Sequence, residues 1–125
     1  MDITPLIPAG RQVIRSYGNG GFTVADVRHD GSVLVTAEQT FPLDVASLED
    51  LSLAHFDPLW ALEPSIELLL IGTGAKMVFL PDALRAGLKD HGISVDSMDS
   101  GAAARTYNVL LSEERLVAAA IIAVD

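Results

Sequence analysis

The run Ile66-Glu67-Leu68-Leu69-Leu70-Ile71 carries one charge in six positions and stops at Gly72-Thr73-Gly74. An uninterrupted apolar run this short reads as a strand covered on both faces, since a half-exposed strand would alternate polar and apolar residues. The chain must therefore place cover on either side of a sheet. A glycine pair leaving a buried strand also marks a point where backbone approaches a neighbour closely.

The residues that follow supply the cover. Pro81 and Asp82 suit the first turn of a helix and Gly92 the position past its end, with Leu84 and Leu88 on the buried stripe. Ile93 to Asp96 reads as the next strand. Asp99 or Ser100 caps a second helix through about Glu114, with Ala103, Tyr107, Leu110 and Leu111 inward, and Val117 to Val124 reads as the last buried strand. Strand, helix, strand, helix, strand at this spacing describes an α/β sheet with crossover helices.

The first half reads differently. Val13 to Tyr17 and Phe22 to Val27 have strand character around the loop Gly18-Asn19-Gly20-Gly21. Asp30-Gly31 is a hairpin signal, and Ser32 to Ala37 reads as a returning strand. Residues 12–38 are thus expected to form a three-stranded antiparallel meander. Phe41 to Ala46 is a further extended piece. From Ser47, an N-cap candidate, apolar residues recur at helical spacing until Pro64, and Pro58 divides that stretch into short helices or kinks it.

With 125 residues, half of them apolar, the chain is expected to be one domain spanning 1–125 with a sizeable core. Seventeen acidic against eight basic groups give a net charge of −9, which opposes binding to nucleic acid. There is no cysteine, so disulfides and thiol chemistry are excluded. His29, His55 and His91 lack metal-ligand spacing, and no cofactor or metal is expected. The N-terminal sequence has neither a basic n-region nor an apolar h-region, and the apolar run Leu116 to Val124 is too short for a membrane-spanning helix. A cytoplasmic protein without a transmembrane segment is expected.

Two motifs are candidates for function. Gly72-Thr73-Gly74 fails the dinucleotide fingerprint because Met77 occupies the third glycine position, and Lys76 lacks the frame of a phosphate-binding P-loop. What remains is either a backbone anion nest or a tight turn packed under a neighbour. Arg105-Thr106-Tyr107-Asn108 occupies four successive helical positions, which cannot all face one way. Tyr107 falls on the core stripe, while Thr106 and Asn108 flank it. Asparagine inside a helix needs a reason, either a bond to neighbouring backbone or a ligand. Arg105 suits an oxyanion or a surface ion pair. The candidate ligand-binding set is therefore Gly72, Thr73, Gly74, Arg105, Thr106 and Asn108, with no catalytic residue.

The ordered set Ser16-Tyr17-Gly18 with Phe22, Leu68-Leu69-Leu70-Ile71-Gly72-Thr73-Gly74, Gly92-Ile93, Met98-Asp99, Ala104 to Leu110, Glu114-Arg115 and Val117 to Ala120 resembles a known family. It comprises small domains of unknown function and includes the mitochondrial assembly factor of respiratory complex I and the human adipogenesis-associated domain protein. The resemblance implies a single three-layer β+α/β/α domain, its central mixed sheet preceded by an N-terminal antiparallel meander. It also implies a non-enzymatic accessory protein, an assembly or interaction factor in membrane-protein or respiratory-complex biogenesis. Its partners would be protein subunits of a membrane complex, and it would act as a monomer or homodimer. The alternative is a small-molecule or anion-binding domain using the Gly72-Thr73-Gly74 loop.

Overall fold

The computed structural model describes residues 10–125. Met1 to Ala9, on which the targeting-signal reading falls, lie outside the described residues. Strands β1 (Ile14–Gly18), β2 (Gly21–Val24) and β3 (Val27–Asp30) form a small antiparallel sheet. Strands β4 (Ser32–Val35), β5 (Thr40–Leu43), β6 (Leu68–Gly72), β7 (Ser94–Met98) and β8 (Val117–Ile121) form the central sheet, in the order β5-β4-β8-β6-β7. That sheet is mixed: β6 runs parallel to β7 and β8, and β4 runs antiparallel to β5 and β8.

The central strands divide their side chains between two cores, as the sequence requires. On one face, Leu69, Ile71, Ala118 and Ala120 pack with Leu84 and Leu88 of helix α2 (Asp82–Asp90). Phe56 and Leu59 complete this layer; they come from the 3-10 turn Leu53–Phe56 and the short helix α1 (Asp57–Trp60). On the other face, Leu70, Val117, Ala119 and Ile121 pack with Ala103, Tyr107 and Leu111 of helix α3 (Ser100–Ser112), beside Phe22 and Val24 of the small sheet. Each fully buried large side chain contributes about 1.5–3 kcal/mol relative to exposure.

Pro58 lies within the first two positions of α1, where its missing N–H is no loss, and the chain breaks there into a 3-10 turn and a single helical turn. Gly92 turns the chain past α2 with φ +76°. Ser47 precedes the 3-10 turn Leu48–Asp50, but its hydroxyl faces the Asp50 carboxylate at 3.4 Å instead of capping backbone. Leu110, expected inward, is only half-buried.

The meander differs from its expected form. Its third strand is β3, and Ser32 to Val35 belongs to the central sheet. The turn between β2 and β3 is Ala25-Asp26, with φ +48° and +67°, inside the stretch read as continuous strand. Alanine is a poor left-handed residue, so the sequence carries no turn signal there. Asp30-Gly31 is where the chain leaves one sheet for the other. Gly31 (φ +89°) donates its N–H to Gly20 O, and the Ser32 hydroxyl bridges Val45 O and Ala123 N–H.

Helix α3 is seated against β6 with no room for a side chain at Gly72. A Cβ at Gly72 would stand 2.8 Å from Ile121 Cγ2, 2.9 Å from Ser100 Cα and 3.1 Å from Ala103 Cβ. Backbone and a buried side chain cannot yield cheaply, so Gly72→Ala should destabilise by about 1–3 kcal/mol through overpacking. A lower urea midpoint at unchanged m-value is the expected result; an unchanged midpoint would show that the helix has room to withdraw.

Candidate functional site

Two hydrogen-bonded groups lie on α3, and the candidate residues other than Thr106 divide between them. The first is at the helix start. Asp99 caps the helix, accepting from Ala102 N–H at 2.9 Å. Ser100 is fully buried; its hydroxyl donates to Ile122 O at 2.6 Å and accepts from Gly74 N–H at 2.9 Å. Ser100 N–H donates in turn to Gly74 O at 2.8 Å. Gly74 takes φ +112°, which only glycine adopts without strain. Thr73 N–H donates to Met98 O at 2.9 Å, and its hydroxyl donates to Lys76 O and accepts from Val78 N–H. The N–H groups of Thr73 and Gly74 are thus both bonded within the chain.

The second group lies further along α3, with Asn108 about 12 Å from Ser100 along the axis at 1.5 Å per residue. Asn108 accepts from Ile14 N–H at 2.9 Å and donates to Ile14 O at 2.8 Å. β1 is an edge of the small sheet, and the Asn108 amide pairs with that edge as a neighbouring strand would. This supplies the reason for a helical asparagine, with β1 rather than the glycine loop as its partner. Arg105 donates to the Tyr17 hydroxyl at 3.0 Å. Thr106 is half-buried and makes no side-chain hydrogen bond among the described residues. The helix therefore brings Arg105 and Asn108 together on β1, and holds Gly72, Thr73 and Gly74 at its other end.

Between β1 and α3 lies a cleft of about 300 Å³, bounded by Arg15, Ser16 and Tyr17 on the strand and Ala104, Arg105 and Asn108 on the helix. A second pocket of about 190 Å³ is lined by Arg11 and Arg115 together with Glu38, Glu63 and Glu114. Near Arg11, the Tyr107 hydroxyl donates to Thr36 O at 3.1 Å. Burial pushes its phenol pKa well above the ordinary value, partly opposed by Arg11, so Tyr107 keeps its proton across the neutral range. His91 stacks on Trp60 with ring centroids 3.7 Å apart, in a packing role. Among the described residues no three His, Cys, Asp or Glu side chains gather to hold a metal.

Sequence reasoning passed over two features. Ser100 was legible only as a cap candidate, because nothing in a sequence tells a buried hydroxyl from an exposed one. Met77, Val78 and Phe79 are exposed at 47%, 49% and 77%, in the loop between β6 and α2. The available signal was an apolar stretch wedged between a glycine turn and Pro81, too short for a strand and helix of its own.

Residues 14–122 match the family described as "Protein of unknown function (DUF498/DUF598)". The chain belongs to this family. Among DUF498/DUF598 relatives, an uncharacterized protein of Rhodobacter capsulatus is 40% identical over 114 residues, covering 91% of this chain and 86% of that one. The mouse protein named NADH dehydrogenase (ubiquinone) 1 alpha subcomplex assembly factor 3 is 33% identical over 109 residues, 87% of this chain; the match spans 59% of the mouse protein. The crystal structure of an outer membrane protein from Bartonella henselae superposes with a TM-score of 0.85 at 41% identity, covering 93% of this chain and 98% of that one. The superposition on the Bartonella henselae structure bears out the expected fold, and the mouse protein bears out the kinship with a complex I assembly factor that the resemblance implies.

Asn108 satisfies two backbone groups of β1 that no strand reaches. Asn108→Ala leaves both without that partner and should cost about 1–3 kcal/mol, reduced to the extent that water replaces the amide. The thermal midpoint should fall; an unchanged midpoint would show that β1 does not depend on α3.

Proposed function

We propose that the chain is a non-enzymatic accessory protein that docks, as one folded unit in the cytoplasm, on subunits of a membrane complex during its biogenesis. The observation that carries this reading is the exposed segment Met77-Val78-Phe79. Three consecutive apolar side chains on a surface loop are costly to leave in water without a partner. The segment is also pinned: Thr73 Oγ1 bonds both Lys76 O, at 2.7 Å, and Val78 N–H, at 3.1 Å, and Leu80 is buried just beyond. A loop held in place loses less entropy on binding than a free one. The glycine motif thereby gains a role as the scaffold that presents Phe79. The names of the complex I assembly-factor relatives support the class of partner.

The test is crosslinked recovery of partners from cells expressing the full chain or Phe79→Asp. The wild type should recover membrane-complex subunits from the cytoplasmic fraction. The variant should recover about tenfold less, the loss of one aromatic anchor, at an unchanged thermal midpoint. Equal recovery by both proteins, or recovery of no membrane-complex subunit, would contradict the proposal.

A further inference from the structure

The cleft between β1 and α3 has a chemistry that docking through Phe79 does not use. Of the eight basic residues in the chain, two line it, Arg15 and Arg105, and neither Asp nor Glu does. Arg105 spends one donor on the Tyr17 hydroxyl. No carboxylate lies within ion-pairing distance of Arg105 among the described residues. A guanidinium has five N–H donors, so most of its fork is uncommitted. Tyr17 acts as acceptor toward Arg105, which leaves its own O–H proton to donate outward. The Asn108 carbonyl, which would otherwise be an acceptor in the wall, is taken by Ile14 N–H.

Arg15 stands where the β1-β2 ladder slips, between Ile14 and Ser16, and this irregularity sets it beside the cleft. Its partner is Asp26, with 3.9 Å between Nε and Oδ1 and both side chains largely exposed. A pair that long and that wet holds Arg15 only weakly. The rim is thus rich in donors, positively charged and poor in acceptors.

The geometry points to a binding site for a small oxyanion, the carboxylate or phosphate group of a soluble metabolite, held in this cleft by Arg105 and Arg15 with the Tyr17 hydroxyl as a further donor. Guanidinium forks match both groups with paired, charge-assisted hydrogen bonds. The volume of about 300 Å³ is at the lower end of the range for small-molecule sites and fits a compact ligand. The net charge of −9 opposes an anion at long range, but its distant charges are screened beyond about 10 Å, and the two guanidiniums dominate inside the cleft. This site is independent of the partner-docking proposal.

The test is titration of the isotope-labelled full chain with inorganic phosphate and, separately, with succinate, at constant ionic strength. Saturable shifts are expected at the Ser16 and Tyr17 amides and at Arg105 Nε–H, with one anion or both half-saturating by about millimolar concentration. The anion that saturates identifies the group. Arg105→Gln and Arg15→Gln should each weaken binding about tenfold without lowering the thermal midpoint, and Asp26→Asn should tighten it by removing the negative charge beside Arg15. Linear, unsaturated shifts with both anions, or shifts equally large at Arg85 and Arg115, would overturn the site. So would affinity unchanged in both arginine variants.

Discussion

The close seat of α3 on β6 and β8 is the contact from which the other features follow. It exists because Gly72 has no side chain and because Ala119 and Ala103 are small where helix and sheet meet. At that distance the first turn of the helix can hydrogen-bond the end of the strand directly. Ser100 then serves Gly74, Ile122 and the helix start together. A larger residue at position 72 would push the helix out and strand a buried hydroxyl along with two backbone groups, so packing and polar satisfaction reinforce each other here.

From that anchor the helix reaches in two directions. At its start it fixes the glycine loop, which bonds the following segment through Thr73 and presents Met77, Val78 and Phe79 to solvent. Further along it grips the free edge of β1 with Asn108 and places Arg105 over Tyr17. Removing either attachment would leave a surface without its support. The C-terminal strand binds the arrangement together: Ile122 N–H donates to Gly72 O, and the next residues reach Ser32 and Gly20.

Much of the architecture was legible because hydrophobic period and turn chemistry agree in the second half of the chain. The run ending at Ile71, the Pro81 and Gly92 boundaries and the Asp99 cap each describe one element with one mechanism. The first half was less legible because its decisive turn uses Ala25-Asp26, and an alanine in the left-handed region announces nothing. Asp30-Gly31 carries a hairpin signal, yet positive φ at a glycine serves equally well to redirect a strand into another sheet. Of the candidate residues, those on α3 could be assigned to faces by their 100° spacing. Their partners could not be assigned, since Ile14 and Tyr17 lie some ninety residues away and no local pattern records that pairing.

The central claim is that one rigid helix couples the glycine loop to β1. Native-state hydrogen exchange on Ser100→Ala tests it most directly, because the two bonds that the substitution removes, from Gly74 N–H and to Ile122 O, both lie at the helix start. Gly74 N–H loses its acceptor and will exchange faster in any account. The informative amide is Ile14, bonded to Asn108 two turns further along. Faster exchange at Ile14, in step with Gly74, is the predicted result. Full protection at Ile14 while Gly74 opens would contradict the coupling and show that the two ends of α3 hold their surfaces independently.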